Sequence, residues 1–194
     1  MEKAKVTIIL GGVRSGKSRE AETRAIVEAD KLEGKLHYIA CGKVTDEEMK
    51  ARVRSHQQQR ESSGQKWITW EQPVDIGALS GGFTKRDTVL IDCLTTLLTN
   101  EWFAGDMNEE RWERPDFHAS VKNIIQTGIG AIRRSAGAVI IVSNELAFEP
   151  MDSPLVFHYA KALGELHQWL INDAESAVLI EHGYPIVKKK GAAI

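Results

Sequence analysis

The chain alternates between short, unbroken apolar runs and longer stretches of mixed polarity. Val6–Leu10 (VTIIL), Leu36–Ala40 (LHYIA), Thr88–Ile91 (TVLI), Ala138–Val142 (AVIIV) and Ala177–Ile180 (AVLI) have the length of strands. Several are apolar or β-branched at consecutive positions, the pattern of strands covered on both faces. Ser18–Leu32, Thr45–Arg60, Asp116–Ser135 and Ser153–Asp173 read as helices. Strand and helix in turn predict an α/β fold: one domain over residues 1–194, a mainly parallel sheet, helices on both faces. The end, IEHGYPIVKKK, reads as a closing hairpin or edge strand with Gly183–Pro185 as its turn. Residues 80–87 and 103–116 are expected to be the least ordered places.

Composition narrows the function classes. With 194 residues and 42% hydrophobic content the chain can bury one core. A formal net charge of -2, with both signs spread along the sequence, supplies no basic field for nucleic acid, so any polyanion must be held locally. The amino end carries an apolar run too short for a signal segment or a membrane span, and the protein is expected to be soluble and cytoplasmic. Cys41 and Cys93 have no metal-ligand spacing and read as reduced thiols near strand ends.

The sharpest chemical signal follows the first strand: Gly11, Gly12, Val13, Arg14, Ser15, Gly16, Lys17 and Ser18 fit G-x-x-x-x-G-K-[ST] between a strand and a helix. Gly11 and Gly16 permit backbone angles and close approaches that a side chain would block, so successive amides can turn toward phosphate oxygens. Lys17 is expected to meet the β and γ phosphates and Ser18 to ligate Mg2+, which predicts a nucleoside triphosphate, ATP or GTP. Asp92, at the end of TVLID, is either the acidic magnesium partner or a helix cap. Glu145, at the end of VIIVSNE, is a catalytic base, a cap or a neighbour of the reacting groups.

In TDEEMKARVRSHQQQR, Thr45 and Glu48 form a capping box, and Met49, Arg52, Val53, His56 and Arg60 share one helical face. Two readings stand on these residues alone. Either the face is solvated surface with an idle histidine, or two guanidiniums flank an imidazole that is mostly neutral at pH 7, an arrangement able to hold an anion beside a nucleophile.

GGVRSGKS, YIACGKVTDEEMKARVRSHQQQR, Trp67 and Glu71, VLIDCLTTLLTN and VSNE, in this order, resemble the bifunctional adenosylcobinamide kinase / adenosylcobinamide-phosphate guanylyltransferase family of cobalamin biosynthesis. The resemblance covers nearly the whole chain to about Glu145. It implies a RecA-like P-loop domain, a homotrimer, and adenosylcobinamide and its phosphate as partners beside GTP and ATP. It also implies that His56 is the guanylylated residue, and that Cys41, Gly42, Lys43, Gln57, Gln58, Gln59, Arg60, Glu71 and Asp92 line the GTP site. After Glu145 the family's glycines are replaced by Ala147 and Glu149, and its Arg-x-x-Arg-Asp stretch by residues such as Val156, His158 and Tyr159. Two other readings fit parts of the pattern: another small-molecule P-loop kinase, and a nucleotide-binding protein without corrinoid turnover.

Overall fold

The computed structural model describes residues 3–42, 60, 64–105, 111–146, 151 and 153–191. In chain order the described elements are β1 (Lys5–Gly11), α1 (Lys17–Leu32), β2 (Leu36–Ala40), β3 (Trp67–Glu71), a 3-10 segment (Ile76–Gly82), β4 (Thr88–Asp92), α2 (Leu94–Trp102), a 3-10 turn (Arg111–Glu113), α3 (Pro115–Ser135), β5 (Ala138–Asn144), α4 (Pro154–Asp173), β6 (Ser176–Glu181) and β7 (Tyr184–Lys190). The strands form one sheet in the order β3-β2-β4-β5-β1-β6-β7. All neighbours pair in parallel except β6 and β7.

Alternation of side chains along each strand divides the core into two layers. Ile9, Leu36, Tyr38, Leu90, Ile140, Val142 and Val178 meet Ala21, Ala25 and Ala29 of α1. Ile8, Leu10, Ile39, Val89, Ile91, Val139 and Ile141 meet the apolar stripes of α2, α3 and α4 on the opposite face. The small alanines of α1 bring that helix close to the sheet. Both faces are therefore buried, which accounts for runs that show no polar alternation.

Parallel pairing gathers the carboxyl ends of β1, β2, β3, β4 and β5 on one edge. Gly11 pairs with Asn144, Asp92 with Val142 and Ala40, and Ala40 with Glu71. In an open parallel sheet this is the edge where ligands bind.

Two expectations are corrected. The hairpin turn is centred on His182 and Gly183, both left-handed at φ 50° and 84°, as a two-residue hairpin with right-handed strand twist requires. Pro185 lies within β7, opposite Ile180, where an edge strand tolerates a missing N–H. Residues 80–87 are organised structure: the 3-10 segment runs to Gly82, Phe83 is buried, and Asp87 accepts from the Thr84 N–H at 2.8 Å and the Lys35 N–H at 3.0 Å. Of the predicted Thr45–Arg60 helix, only Arg60 falls among the described residues.

Candidate active site

β1 ends at Gly11 and α1 begins at Lys17, so residues 12–16 form a loop at the sheet edge. A methyl group on Gly11 would lie 2.6 Å from Ser15 Oγ and 2.8 Å from the Ile180 carbonyl oxygen, distances no Cβ tolerates. Gly16 has φ 95°, a left-handed angle open to glycine at little cost, and it admits the chain into α1. Gly12, Val13 and Arg14 are exposed. Lys17 is buried and donates to the Gly12 carbonyl at 2.9 Å, so its ammonium lies against the loop backbone. The Ser15 hydroxyl is buried with no hydrogen-bond partner among the described residues, a polar atom in a cradle suited to an anion's oxygens. Ser18 follows in the first turn of α1, where the helix adds its positive end.

Asp92 stands at the end of β4, two strand spacings or about 10 Å from β1. It caps no described helix: α2 begins at Leu94 with Cys93 in the capping place. Its Oδ2 instead accepts the Tyr38 hydroxyl at 2.9 Å. Burial, and then the Asp92 charge, push the Tyr38 phenol well above its ordinary range, so it remains a donor. Asp92 and Ser18 offer the hard oxygens Mg2+ prefers. Among the described residues no group of three or more His, Cys, Asp or Glu side chains forms a metal cage. A single carboxylate and a hydroxyl suit a cation that completes its shell with phosphate and water.

Asp92 is backed by a group of side chains that local sequence did not announce. Arg60 is buried, its guanidinium carbon 3.8 Å from the centre of the Tyr38 ring and its Nη1 3.6 Å from Glu22 Oε1. Burial pushes the Glu22 carboxyl up, against the pull of the Arg60 charge. Glu22, in α1, Tyr38, in β2, and Arg60 thus connect the helix after the phosphate loop to Asp92.

The remaining expected site residues are spread along the edge. Cys41 is buried, its N–H donating to the Asp92 carbonyl at 3.0 Å and its carbonyl accepting from Asn100 Nδ2 at 2.7 Å. Burial lifts its thiol well above the ordinary range, and Cys93 is likewise raised by burial, so both are inert thiols, free of any disulfide. Gly42 is exposed, and Glu71 is exposed at the end of β3, four strand spacings or about 19 Å from β1. Lys43, His56, Gln57, Gln58 and Gln59 lie outside the described residues. At the other side of the edge, the Glu145 N–H donates to the Gly11 carbonyl at 3.0 Å, which ties the end of β5 to the loop. No described helix begins at Glu145, so the capping reading finds no helix to cap.

With this geometry in hand, comparison with known proteins is specific. The family model described as cobinamide kinase / cobinamide phosphate guanyltransferase matches residues 7–188, continuing well past Glu145 through the segment that departs from the family pattern. The chain is 29% identical over 179 residues to the bifunctional adenosylcobalamin biosynthesis protein CobU of Escherichia coli K12, covering 91% of this chain and 95% of that protein. It is 31% identical over 185 residues to the bifunctional adenosylcobalamin biosynthesis protein CobP of Pseudomonas aeruginosa PAO1, covering 94% of this chain and 96% of that protein. Among solved structures it is similar to an isolated ATPase domain, with a TM-score of 0.54 at 13% identity, covering 100% of this chain and 80% of that one. That likeness supports the RecA-like P-loop fold and nothing finer. Matched over residues 7–188 by the family model, the chain belongs to the cobinamide kinase / cobinamide phosphate guanyltransferase family.

Proposed function

We propose that this protein is a bifunctional, cytoplasmic enzyme. It first moves the γ-phosphate of ATP or GTP to the aminopropanol hydroxyl of adenosylcobinamide. It then joins GMP from GTP to the phosphorylated product, giving adenosylcobinamide-GDP. The observation that carries the reading is the phosphate loop: a cradle from Gly11 to Ser18 with Lys17 folded onto it, on a sheet edge shared with Asp92, in a chain of this family.

Ser18 and Asp92 would hold Mg2+, which when bound would supply positive charge to offset the negative charge that develops on the phosphates. Lys17 and the loop amides supply further positive potential at the same oxygens. In the second reaction an imidazole nitrogen of His56 attacks the α-phosphorus of GTP, the P–O bond to pyrophosphate breaks, and the ring gives up its proton. A phosphate oxygen of the corrinoid substrate then attacks the same phosphorus, and the P–N bond breaks to regenerate the imidazole. Splitting the transfer in this way replaces one difficult displacement with two easier ones. Arg60, Glu71, Lys43, Cys41, Gly42 and the glutamines 57–59 are assigned to the nucleotide pocket, and the working unit to a homotrimer.

Label transfer tests the reading. With GTP labelled at the α-phosphorus, the protein should acquire acid-labile, alkali-stable label that is absent in His56→Ala. With γ-labelled nucleotide, phosphate should reach adenosylcobinamide in both proteins. A protein that binds GTP but never takes α-label, while still phosphorylating the corrinoid, is a kinase alone. Lys17→Ala should weaken nucleotide binding about tenfold or more and depress both steps, because a charge-assisted contact to phosphate is lost. Light scattering reads the trimer directly.

A further inference from the structure

On the side of β5 away from α1 lies a buried polar chain that neither phosphate binding nor the Asp92 group uses. Ser143, wholly buried near the end of β5, has its hydroxyl 3.0 Å from Thr95 Oγ1 and 2.8 Å from His167 Nε2. Thr95 lies in the first turn of α2, next to the end of β4, and also accepts the Asn144 N–H at 2.8 Å. His167, in α4, is 9% exposed, and Thr95 is 8% exposed. A chain of three side chains from three elements, His167, Ser143 and Thr95, thus ends on the Asn144 N–H; Asn144 pairs with Gly11, while the Glu145 N–H holds the Gly11 carbonyl.

The donor count gives the chain a direction. Thr95 Oγ1 accepts from Asn144, and of the two directions open to the Thr95–Ser143 pair, the one that gives the Thr95 hydrogen an acceptor among the described residues runs from Thr95 to Ser143 Oγ. Ser143 then donates onward, and His167 Nε2 is the acceptor available to it. In this direction the imidazole is neutral, with its proton on Nδ1. A proton added at Nε2 would turn Ser143 round, direct a second donor at Thr95 Oγ1, and leave the Thr95 hydrogen without a partner.

We infer that His167, Ser143 and Thr95 form a positioning relay that fixes the Asn144–Glu145 corner against the phosphate loop, and that the relay holds only while His167 is a neutral acceptor. The relay deepens the functional reading above and rests on it for its kinetic readout. His167 touches no reacting atom in this arrangement and acts through Ser143. Burial keeps the imidazole readily deprotonated, and among the described residues the Glu145 carboxylate is the charge that opposes this. Tyr159, the nearby titratable group on the same helix, donates to the Thr95 carbonyl at 2.9 Å, and its phenol is pushed up to about 12 by burial, so it stays protonated throughout.

The full-length protein tests this in two independent ways. Ring nitrogen correlation spectra at pH 7 should show His167 as the neutral Nδ1–H tautomer; an Nε2–H tautomer overturns the relay. Kinetically, His167→Leu should lower kcat for phosphoryl transfer about tenfold while changing the nucleotide KM by less than about twofold, because geometry rather than ground-state binding is lost. His167→Gln, whose amide oxygen reaches the Ser143 hydroxyl but does not titrate, should restore kcat and abolish the acid limb of its pH profile. Ser143→Ala should lower kcat similarly, and adding it to His167→Leu should cost little more, as expected of groups that act as one unit. Unchanged kcat in His167→Leu, or failure of His167→Gln to restore it in a protein that melts normally, overturns the proposal. If the wild type moves no phosphate to the corrinoid, the functional reading alone fails, and the tautomer still decides the relay.

Discussion

The Tyr38 hydroxyl donates to Asp92 Oδ2 at 2.9 Å across two adjacent parallel strands, while the Arg60 guanidinium lies 3.8 Å above the same ring. One phenol therefore orients the acid proposed to meet Mg2+ and receives a cation on its face. Tyr38→Phe keeps the ring and the cation contact but removes the donor to Asp92. Stability should fall by about 1.5–3 kcal/mol, the usual contribution of a hydrogen bond to a charged group. The freed carboxylate should also raise the Mg2+ concentration needed for half-maximal turnover several-fold. A magnesium titration of both proteins checks this, and identical half-saturation would show that Tyr38 does not orient the metal-binding oxygen.

Gly11 and Gly12 are neighbours with opposite tolerance. A Cβ on Gly11 meets Ser15 Oγ at 2.6 Å and the Ile180 carbonyl at 2.8 Å, and the latter is backbone in a paired strand that cannot step aside. On Gly12 a Cβ meets nothing within 4 Å. Gly11→Ala should therefore lose about 1–3 kcal/mol of stability through overpacking. Gly12→Ala should stay within about 0.5 kcal/mol of the parent. Urea denaturation of the two variants makes the comparison, and equal losses would place the loop's requirement elsewhere than in steric contact with β6.

How much of this was legible in the sequence depends on how local the cause is. The phosphate loop is contiguous, and its glycine requirements follow from backbone geometry. The unbroken runs of β1, β4 and β5 announced burial on both faces. β3 was missed because WITWE is a five-residue strand at the sheet's edge, only partly buried and without the unbroken aliphatic run of the central strands. α2 was missed because LTTLLTNEW is rich in threonine, a poor helix former; the burial of Leu94, Leu97, Leu98 and Trp102 stabilises it. The Tyr38–Asp92 bond joins residues 54 apart, and the Ser143 hydroxyl meets partners 24 and 48 residues away. No short window contains such a pair. Arg60, by contrast, was placed on the face of His56 by helical spacing and in the GTP site by the family resemblance, and its burial against Tyr38 and Glu22 is a tertiary fact that neither could foretell.

Acid should weaken the fold in two separate ranges. His37 is buried, accepts the Trp70 indole N–H at Nδ1 at 3.0 Å, and lies edge-on to Phe83. Burial lowers its pKa against the opposing pull of Asp87. The unfolded chain thus binds the proton more readily, and this contribution is complete above about pH 6.5 and declines as the pH falls through the window below it. Asp87 behaves otherwise: burial pushes its carboxyl up, but hydrogen bonds from Lys35 and Thr84 outweigh this and hold it below the ordinary range. Its contribution is present above about pH 4 and is lost only as the pH falls further. Urea midpoints should therefore start to drop near pH 6.5, well before carboxylates protonate. His37→Gln, which keeps an acceptor for Trp70, should reduce that early drop, and His167→Gln should remove a further part. A pH dependence unchanged in both variants would exclude the buried histidines as its source.

The Glu22–Arg60 pair gives a prediction in which removing one group is worse than removing two. The pair is buried, with Nη1 and Oε1 3.6 Å apart, and the pKa of Glu22 is already raised by burial despite the nearby cation. Arg60→Ala would leave that carboxylate without the charge that offsets its desolvation, at a cost of about 3–5 kcal/mol. The same change removes the cation above Tyr38, and with it one restraint on the donor to Asp92. Replacing both partners by apolar residues, Glu22→Leu with Arg60→Met, should be less destabilising than Arg60→Ala alone, because no charge is then buried unpaired. If the pair serves stability only, the double variant will retain both label transfers. If Arg60 also positions the chain that carries His56, four residues before it in sequence, the double variant will fold but take up α-label from GTP more slowly, with γ-phosphate transfer less affected. Denaturation of the single and double variants measures the first claim, and the ratio of the two transfer rates in the double variant measures the second.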